Sequence, residues 1–142
     1  MGGYLEPDIG DELNEFSILG LAHVGDAVFE LMVRSWLCVS GASTAKGLHN
    51  GAVALVSAGA QAAAAERLMP ELSDDERAVF RRGRNARVNS VPQGSSHEEY
   101  HAATGLEALF GYLFLSGRRD RLEELFGKVI NQFHPESARR RG

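Results

Sequence analysis

The feature that most constrains the fold is a run of apolar residues at helical spacing between Ser17 and Ser40. The apolar side chains of this run are Leu21, Val24, Val28, Leu31, Met32 and Trp36. Because an α-helix turns once in about 3.6 residues, the spacing places them on one wide stripe. Ser17 is suited to the N-cap and Gly41 to the stop. The pattern predicts a long amphipathic helix that buries this stripe.

Four further segments predict helices, and we find no alternating strand pattern or hairpin turn. The segments are an alanine-rich region 45–69 that ends at Pro70, a segment from Ser73 to about Arg87, and two more at 97–116 and 120–133. Ser73 and Glu76 form a capping-box pattern at the start of the second segment. The sequence therefore predicts one all-α domain over residues 17–133. A flexible acidic arm (1–16) precedes it and a basic tail (134–142) follows it.

Composition restricts the class of protein. With 142 residues and 44% hydrophobic side chains, the chain is long enough for one domain with a real core. No stretch is apolar for long enough to span a membrane, and the acidic start does not resemble a signal peptide. The single cysteine, Cys38, lies in an apolar run, which predicts a buried, reduced thiol.

A run of arginines is the strongest local charge feature. The net charge of −4 argues against a protein that coats nucleic acid indiscriminately. Residues 77–87 nevertheless hold five arginines and no acidic residue. Arginine binds phosphate oxygens bidentately, and Gly83 would permit close approach of a phosphate. The alternative is an ordinary solvated helix face. The candidate phosphate-binding residues are Arg81, Arg82, Arg84, Asn85 and Arg87.

Two carboxylates stand in apolar helices. Asp26 lies in LAHVGDAVFEL and Glu107 in ATGLEALFGYLFL. Gly25 precedes Asp26 and Gly111 lies one helical turn after Glu107, and these glycines would admit another backbone or a ligand. A buried carboxylate is costly unless it is paired or bound to metal. Two carboxylates from two packed helices can hold Mg²⁺. The alternatives are structural: Asp26 could cap a neighbouring element or pair with Arg34, and Glu107 could pair with an arginine.

The stretch HEEYH at 97–101 fits the zinc-protease pattern H-E-x-x-H. On a helix, His97 and His101 would lie one turn apart, and Glu98 would polarise a metal-bound water. A catalytic zinc also needs a third protein ligand, for which Glu123 or Glu124 is the downstream candidate. Three fixed letters make a weak pattern. A chance match at a charged helix start is the alternative that we prefer.

The order of several motifs resembles the Mini-ribonuclease III family, a branch of the ribonuclease III family that has only the catalytic domain. The matching segments are Leu21 to Arg34, Leu48-His49, Val56-Ser57-Ala58 with Gln61-Ala62, Arg82 to Ala86, and Thr104 to Leu115. They run through about 110 residues with the family's order and spacing, which is far more specific than HEEYH.

The resemblance implies a fold, an activity and a site. The expected fold is the all-α ribonuclease III endonuclease domain, working as a symmetric homodimer. The expected activity is Mg²⁺-dependent cleavage of double-stranded RNA, with Mn²⁺ as an alternative ion and 5′-phosphate products. Asp26 and Glu107 correspond to the catalytic, metal-binding pair. The branch trims precursor 23S ribosomal RNA, and a ribosomal protein on the precursor is a further candidate partner. A location in the cytoplasm, or in plastids, is implied in the same way.

Two departures qualify the resemblance. Full-length ribonuclease III enzymes have further acids at positions where this chain has Ala22 and Thr104, losses that the Mini branch shares. Fewer ligands make Glu30 an additional candidate, although a helix-surface pair with Arg34 is the reading that we prefer. A domain that clamps RNA or docks on ribosomes without cutting is the main alternative function. The retained Asp26 and Glu107 argue against it.

Overall fold

The structure, a computed structural model, describes residues 2–10, 15–86 and 96–133. Its helices are α1 (Ile18–Val39), α2 (Ala45–Val56), α3 (Ala58–Leu68), α4 (Asp74–Arg84), α5 (His97–Leu115) and α6 (Arg119–Phe133), with a 3₁₀ turn at Met69–Glu71. Apart from an isolated bridge between Gly3 and Glu6, the described residues contain no β-structure. The all-α prediction is confirmed. None of the helices in the described ranges has the length and apolarity needed to cross a membrane.

The predicted helix starts are confirmed by their caps. Ser17 Oγ accepts a hydrogen bond from the amide of Gly20 at 2.9 Å, which satisfies one of the free N–H groups of the first turn. At α4, Ser73 and Glu76 close a reciprocal capping box. The chain leaves α1 through Gly41, whose φ of 108° favours glycine.

The region 45–69 differs from the prediction, because it forms two helices rather than one. Ser57 has an extended backbone, with ψ at 154°, and ends α2. Its side chain then accepts a hydrogen bond from the amide of Ala60 and caps α3. The break redirects the chain, so that α2 packs on α1 while α3 packs on α5.

Helix α5 is the centre of the domain. It packs against α1, α3, α4 and α6, and it is buried on most of its circumference, as expected for a helix that is apolar all round. Its buried residues are Ala103, Thr104, Gly105, Leu106, Ala108, Leu109, Phe110, Gly111 and Leu113. Phe110 meets Phe29 of α1 edge-to-face, with ring centroids 5.3 Å apart. The polar Glu107 therefore stands out on this helix.

A buried ion pair joins the start of α4 to α6. Glu76 is 3% exposed, and both of its carboxylate oxygens accept hydrogen bonds of 2.9 Å from Arg121. Arg121 also donates to the carbonyl of Glu71 at 2.7 Å. The hydrogen bonds from Arg121 lower the pKa of Glu76 below its usual value. Because the pair connects distant parts of the chain, it fixes how α6 lies on the domain.

Two peripheral features differ from simple expectation. Cys38 is exposed rather than buried, since Val33 and Leu37 occupy the inward face of α1 and Cys38 lies one residue around the helix. In the N-terminal segment, Pro7 is buried and the amide of Ile9 donates to the carbonyl of Leu115 at 3.1 Å. Part of the predicted arm thus lies against the domain. The domain boundaries at 16 and 133 stay predictions.

Candidate active site

The crossing of α1 and α5 brings the two predicted acids together. A methyl group on Gly25 would overlap the carbonyl of Glu107, and one on Gly111 would overlap the carbonyl of Leu21. The helices can approach this closely only because both positions are glycine. Asp26 follows Gly25 on α1, and its side chain comes within hydrogen-bonding reach of the Glu107 carboxyl. Neither acid pairs with an arginine in the described chain, so the structural alternatives for both are not found.

The two acids differ in exposure from the sequence prediction. Asp26 is exposed and Glu107 is partly buried, so the site opens to solvent on the α1 side. Desolvation, the negative charge of Asp26 and a hydrogen bond with Asp26 together raise the pKa of Glu107 to about 8, and desolvation contributes most. Near neutral pH, Glu107 therefore retains a proton that it can donate to Asp26. A cation between the carboxylates would relieve their repulsion and displace this proton.

A third polar side chain belongs to the site and was not among the predicted site residues. Gln61 of α3 is 2% exposed, and its amide comes within hydrogen-bonding reach of the Glu107 carboxyl. Glu107 thus lies between Asp26 of α1 and Gln61 of α3. A signal for it was present in the sequence, because Gln61 is polar at helical spacing from the buried Ala64, Ala65 and Leu68.

The arginine run divides into two groups. Arg81, Arg82, Arg84 and Asn85 are exposed on the second half of α4 and its C-cap, as phosphate binding requires. Arg87 lies outside the described residues. Arg77 instead uses its guanidinium inside the domain, donating to the carbonyls of Met69 and Pro70 at 3.1 to 3.4 Å.

The predicted role of Gly83 in approaching a phosphate is wrong. Gly83 is buried, and a methyl group there would lie 2.7 Å from Cβ of Ala108 and 2.9 Å from Cα of Gly105. The glycine is needed so that α4 can pack closely on α5. This contact places the arginine-bearing helix against the same stretch of α5 that carries Glu107.

The HEEYH stretch opens α5 and has a structural role. Ser96 and Glu99 form a capping box there, and the rings of His97 and His101 stack with centroids 6.3 Å apart. Glu123 and Glu124 follow the opposite end of α5, whose 19 residues span roughly 28 Å. No group of three His, Cys, Asp or Glu side chains in the described ranges could hold a metal. The zinc interpretation therefore lacks its third ligand.

Comparison with known proteins decides the family. Residues 19–118 match the ribonuclease III domain. A Mini-ribonuclease 3 from Symbiobacterium thermophilum is 46% identical over 75% of this chain and 82% of its own length. The chain belongs to the Mini-ribonuclease III family. A second relative of that name, from Brevibacillus brevis, is 42% identical over 84% of this chain and 89% of its own.

The fold of this Mini-ribonuclease III chain also matches a solved structure. A crystal structure of a protein from Fusobacterium nucleatum aligns with a TM-score of 0.78 and 25% identity. The alignment covers 85% of this chain and 97% of that one.

Positions 22 and 104, where full-length ribonuclease III enzymes have further acids, are both buried in this Mini-ribonuclease III chain. Ala22 is buried in the small apolar cluster with Leu21, Val79 and Ala108. Thr104 is also buried, and its hydroxyl donates to the carbonyl of Tyr100 at 3.0 Å. Neither position offers a free ligand. The polar set at this crossing is therefore Asp26, Glu107 and Gln61.

Proposed function

We propose that this protein is a Mg²⁺-dependent endoribonuclease that cleaves double-stranded RNA. The observation that carries the proposal is the meeting of Asp26 and Glu107 at the glycine contact between α1 and α5. In the family these positions correspond to the metal-binding acids. Two carboxylates that pair with no cation among the described residues are suited to a hard divalent ion.

The residues present fit such an ion. Asp26 and Glu107 supply carboxylate oxygens, which Mg²⁺ prefers, and Mn²⁺ takes the same ligands. When bound, the ion would lower the pKa of a water and stabilise charge on the scissile phosphate, giving 5′-phosphate and 3′-hydroxyl products. Asp26 and Glu107 would hold the ion. Because the pKa of Glu107 is raised, the ion would compete with a proton for this carboxylate.

The exposed arginines support a duplex substrate. Double-stranded RNA is recognised mostly by its shape and its phosphates. Arg81, Arg82, Arg84 and Asn85 present donors from α4, beside the part of α5 that carries Glu107. Arg87, which lies outside the described residues, is proposed as a further RNA-binding residue from the sequence alone. The family suggests that the substrate is the paired ends of precursor 23S ribosomal RNA. A ribosomal protein on the precursor is the proposed helper. The proposed location is the cytoplasm or a plastid.

A symmetric homodimer is part of the proposal. An apolar groove of about 890 Å³ runs between α1, α6 and the N-terminal segment. Leu31 and Val39 in this groove are 58% and 61% exposed, which is unusual for large side chains on one contiguous surface. A second copy would cover the groove and place two acid pairs on one duplex, one for each strand. Leu31→Glu should yield monomers in sedimentation analysis and abolish cutting of both strands.

The experiment that tests the activity is cleavage of a short RNA duplex in Mg²⁺ by the parent, Asp26→Asn and Glu107→Gln. Both variants should fold and bind duplex, yet lose at least about a thousandfold in rate, because removing a metal ligand removes most of the electrostatic catalysis. Glu30→Gln is the matched control. Glu30 lies one turn from Asp26 and pairs with Arg34 at 2.7 Å on the helix surface, so its loss should leave cutting unchanged.

A parent that binds duplex tightly but never cuts, even at a precursor 23S end, would instead establish the non-catalytic RNA-binding or ribosome-associated alternative. Equal cutting by the parent and by both acid variants would remove Asp26 and Glu107 from the mechanism.

A further inference from the structure

Gln61 occupies a position where an apolar residue would be expected. It lies on the face of α3 that packs against α5, among Ala64, Ala65 and Leu68, and it is 2% exposed. Burying an amide is favourable only when its polar atoms find partners. A side chain such as methionine would fill the same space without this cost.

One end of the Gln61 amide lies against Glu107. Gln61 is on the face of α3 that packs on α5, and its amide comes within hydrogen-bonding reach of the Glu107 carboxyl. Gln61 is therefore placed to fix the orientation of the Glu107 side chain without adding a charge of its own.

The other end of the amide has no partner. Oε1 of Gln61 is buried, and no donor within the described ranges reaches it. An unsatisfied buried acceptor costs about 1–3 kcal/mol. The cost argues that the amide is retained for something other than packing.

We infer that Gln61 is a positioning residue for the metal site. Its amide group orients the Glu107 carboxyl toward Asp26, so that the two acids would hold the cation together. This role rests on the proposed function. It also explains how the site holds an ion with only two carboxylates, although positions 22 and 104 are alanine and threonine. The neutral amide of Gln61 positions Glu107 in place of the missing acids. Such supporting partners are commonly worth 10- to 100-fold in metal affinity.

The test measures two effects of one substitution: metal binding should weaken, while the thermal stability of the metal-free protein should not fall. Gln61→Met keeps the shape of the side chain and removes both hydrogen-bonding ends. If Gln61 orients Glu107, calorimetric titration with Mn²⁺ in the absence of RNA should show about 10- to 100-fold weaker binding, and the half-saturating Mg²⁺ concentration for cleavage should rise in parallel. The melting temperature without metal should be unchanged or higher, because a buried unpaired acceptor is gone. Duplex affinity in Ca²⁺, without cutting, should not change.

Leu68→Met is the matched control. Leu68 is buried on the same face of α3, and the exchange conserves volume. It should leave metal affinity unaltered. Gln61→Leu is the second variant, should Gln61→Met fold poorly, and the same loss of Mn²⁺ affinity is expected of it.

Two results would overturn the inference. The first is a Gln61→Met protein that melts earlier but binds Mn²⁺ like the parent, which would make Gln61 a packing residue while leaving the nuclease proposal intact. The second is a parent that binds no Mn²⁺ and cuts no duplex, which would remove the proposed function and this role together.

Discussion

Gly25 of α1 lies directly against the backbone carbonyl of Glu107 on α5, with no room for a methyl group between them. Asp26 is the next residue, so the separation of the two carboxylates is set by a contact between two backbones rather than between side chains. A backbone contact has less freedom to adjust than a side-chain contact. The geometry of the site is therefore a property of the helix crossing.

Gly25→Ala should damage both the fold and the site. The added methyl group must push α1 and α5 apart, and overpacking of this kind costs about 1–3 kcal/mol or more. Urea unfolding should report the loss of stability, and Mn²⁺ titration should report a loss of metal binding.

The control for this variant is Gly127→Ala. Gly127 lies inside α6, and nothing within 4 Å would meet its methyl group. Because alanine is the better helix former, this change should stabilise the protein by about 0.5–1 kcal/mol. Equal destabilisation by both variants would show that the crossing is less tightly packed than described.

The raised pKa of Glu107 predicts that stability depends on pH. Its pKa is about 8 in the folded protein and near the ordinary value of 4.5 when unfolded. Between these two pKa values the folded state binds more protons than the unfolded state. The contribution of the Glu107 carboxyl to stability is therefore complete below the unfolded pKa and is lost as the pH rises through the folded pKa. Glu107→Gln removes this dependence. Relative to the parent, it should become more stable by about 1–2 kcal/mol between pH 5 and pH 9, after allowance for partial solvation.

Urea denaturation in EDTA at several pH values measures this difference. The two proteins should have the same pH dependence below pH 4.5, diverge as the pH rises toward about 8, and differ by a constant amount above it. A difference that is constant with pH would show that Glu107 has an ordinary pKa in the fold.

Arg121→Ala should be strongly destabilising. It leaves Glu76 buried without its cation, and breaking such a pair costs about 3 kcal/mol or more. The folded pKa of Glu76 is lowered, so the pair stabilises the protein above the unfolded pKa and loses this effect as pH falls through the folded one. The stability difference between parent and variant should therefore shrink in acid.

The exposed pair of Glu30 and Arg34 provides the comparison. Arg34→Ala should cost no more than about 0.5 kcal/mol, as measured by the same unfolding experiment. A cost for Arg121→Ala in that small range would mean that the Glu76 pair is solvated.

The arginines of α4 should separate by role. Arg81→Ala and Arg82→Ala should each weaken duplex binding and reduce the slope of log affinity against log salt by about 1, with unfolding unchanged. Arg77→Ala should lower the stability of the fold and leave the salt slope of duplex binding unchanged, because this guanidinium satisfies the carbonyls of Met69 and Pro70. Fluorescence anisotropy at several salt concentrations distinguishes them. An unaltered slope for Arg81→Ala and Arg82→Ala would place RNA elsewhere.

Features encoded by neighbouring residues were predictable from the sequence. The starts of α1 and α4 followed from Ser17 and from the Ser73–Glu76 box, because a cap is a contact within one turn. The break at Ser57 was missed, although serine is a good cap. The alanine-rich sequence on either side favours an uninterrupted helix, and only packing on two different partners requires the break.

Roles that depend on distant residues were not predictable in the same way. Asp26 and Glu107 stood out because carboxylates in apolar helices need an explanation. Gln61 was not assigned to the site, although it is polar at helical spacing from buried residues, because its partner lies on another helix. Gly83 was assigned to phosphate because its contact with α5 is invisible in the local sequence. The contacts of Arg77 with Met69 and Pro70 are invisible there for the same reason.

The three polar side chains of the site come from three helices, and Glu107 lies in the middle of the most buried one. Fraying at the ends of α5 would leave them in place, whereas separating them requires α1, α3 and α5 to part. The site therefore has no melting transition of its own. Amide hydrogens around Glu107 should exchange with solvent only through global unfolding, so the loss of metal binding on heating and the loss of the fold should be a single event.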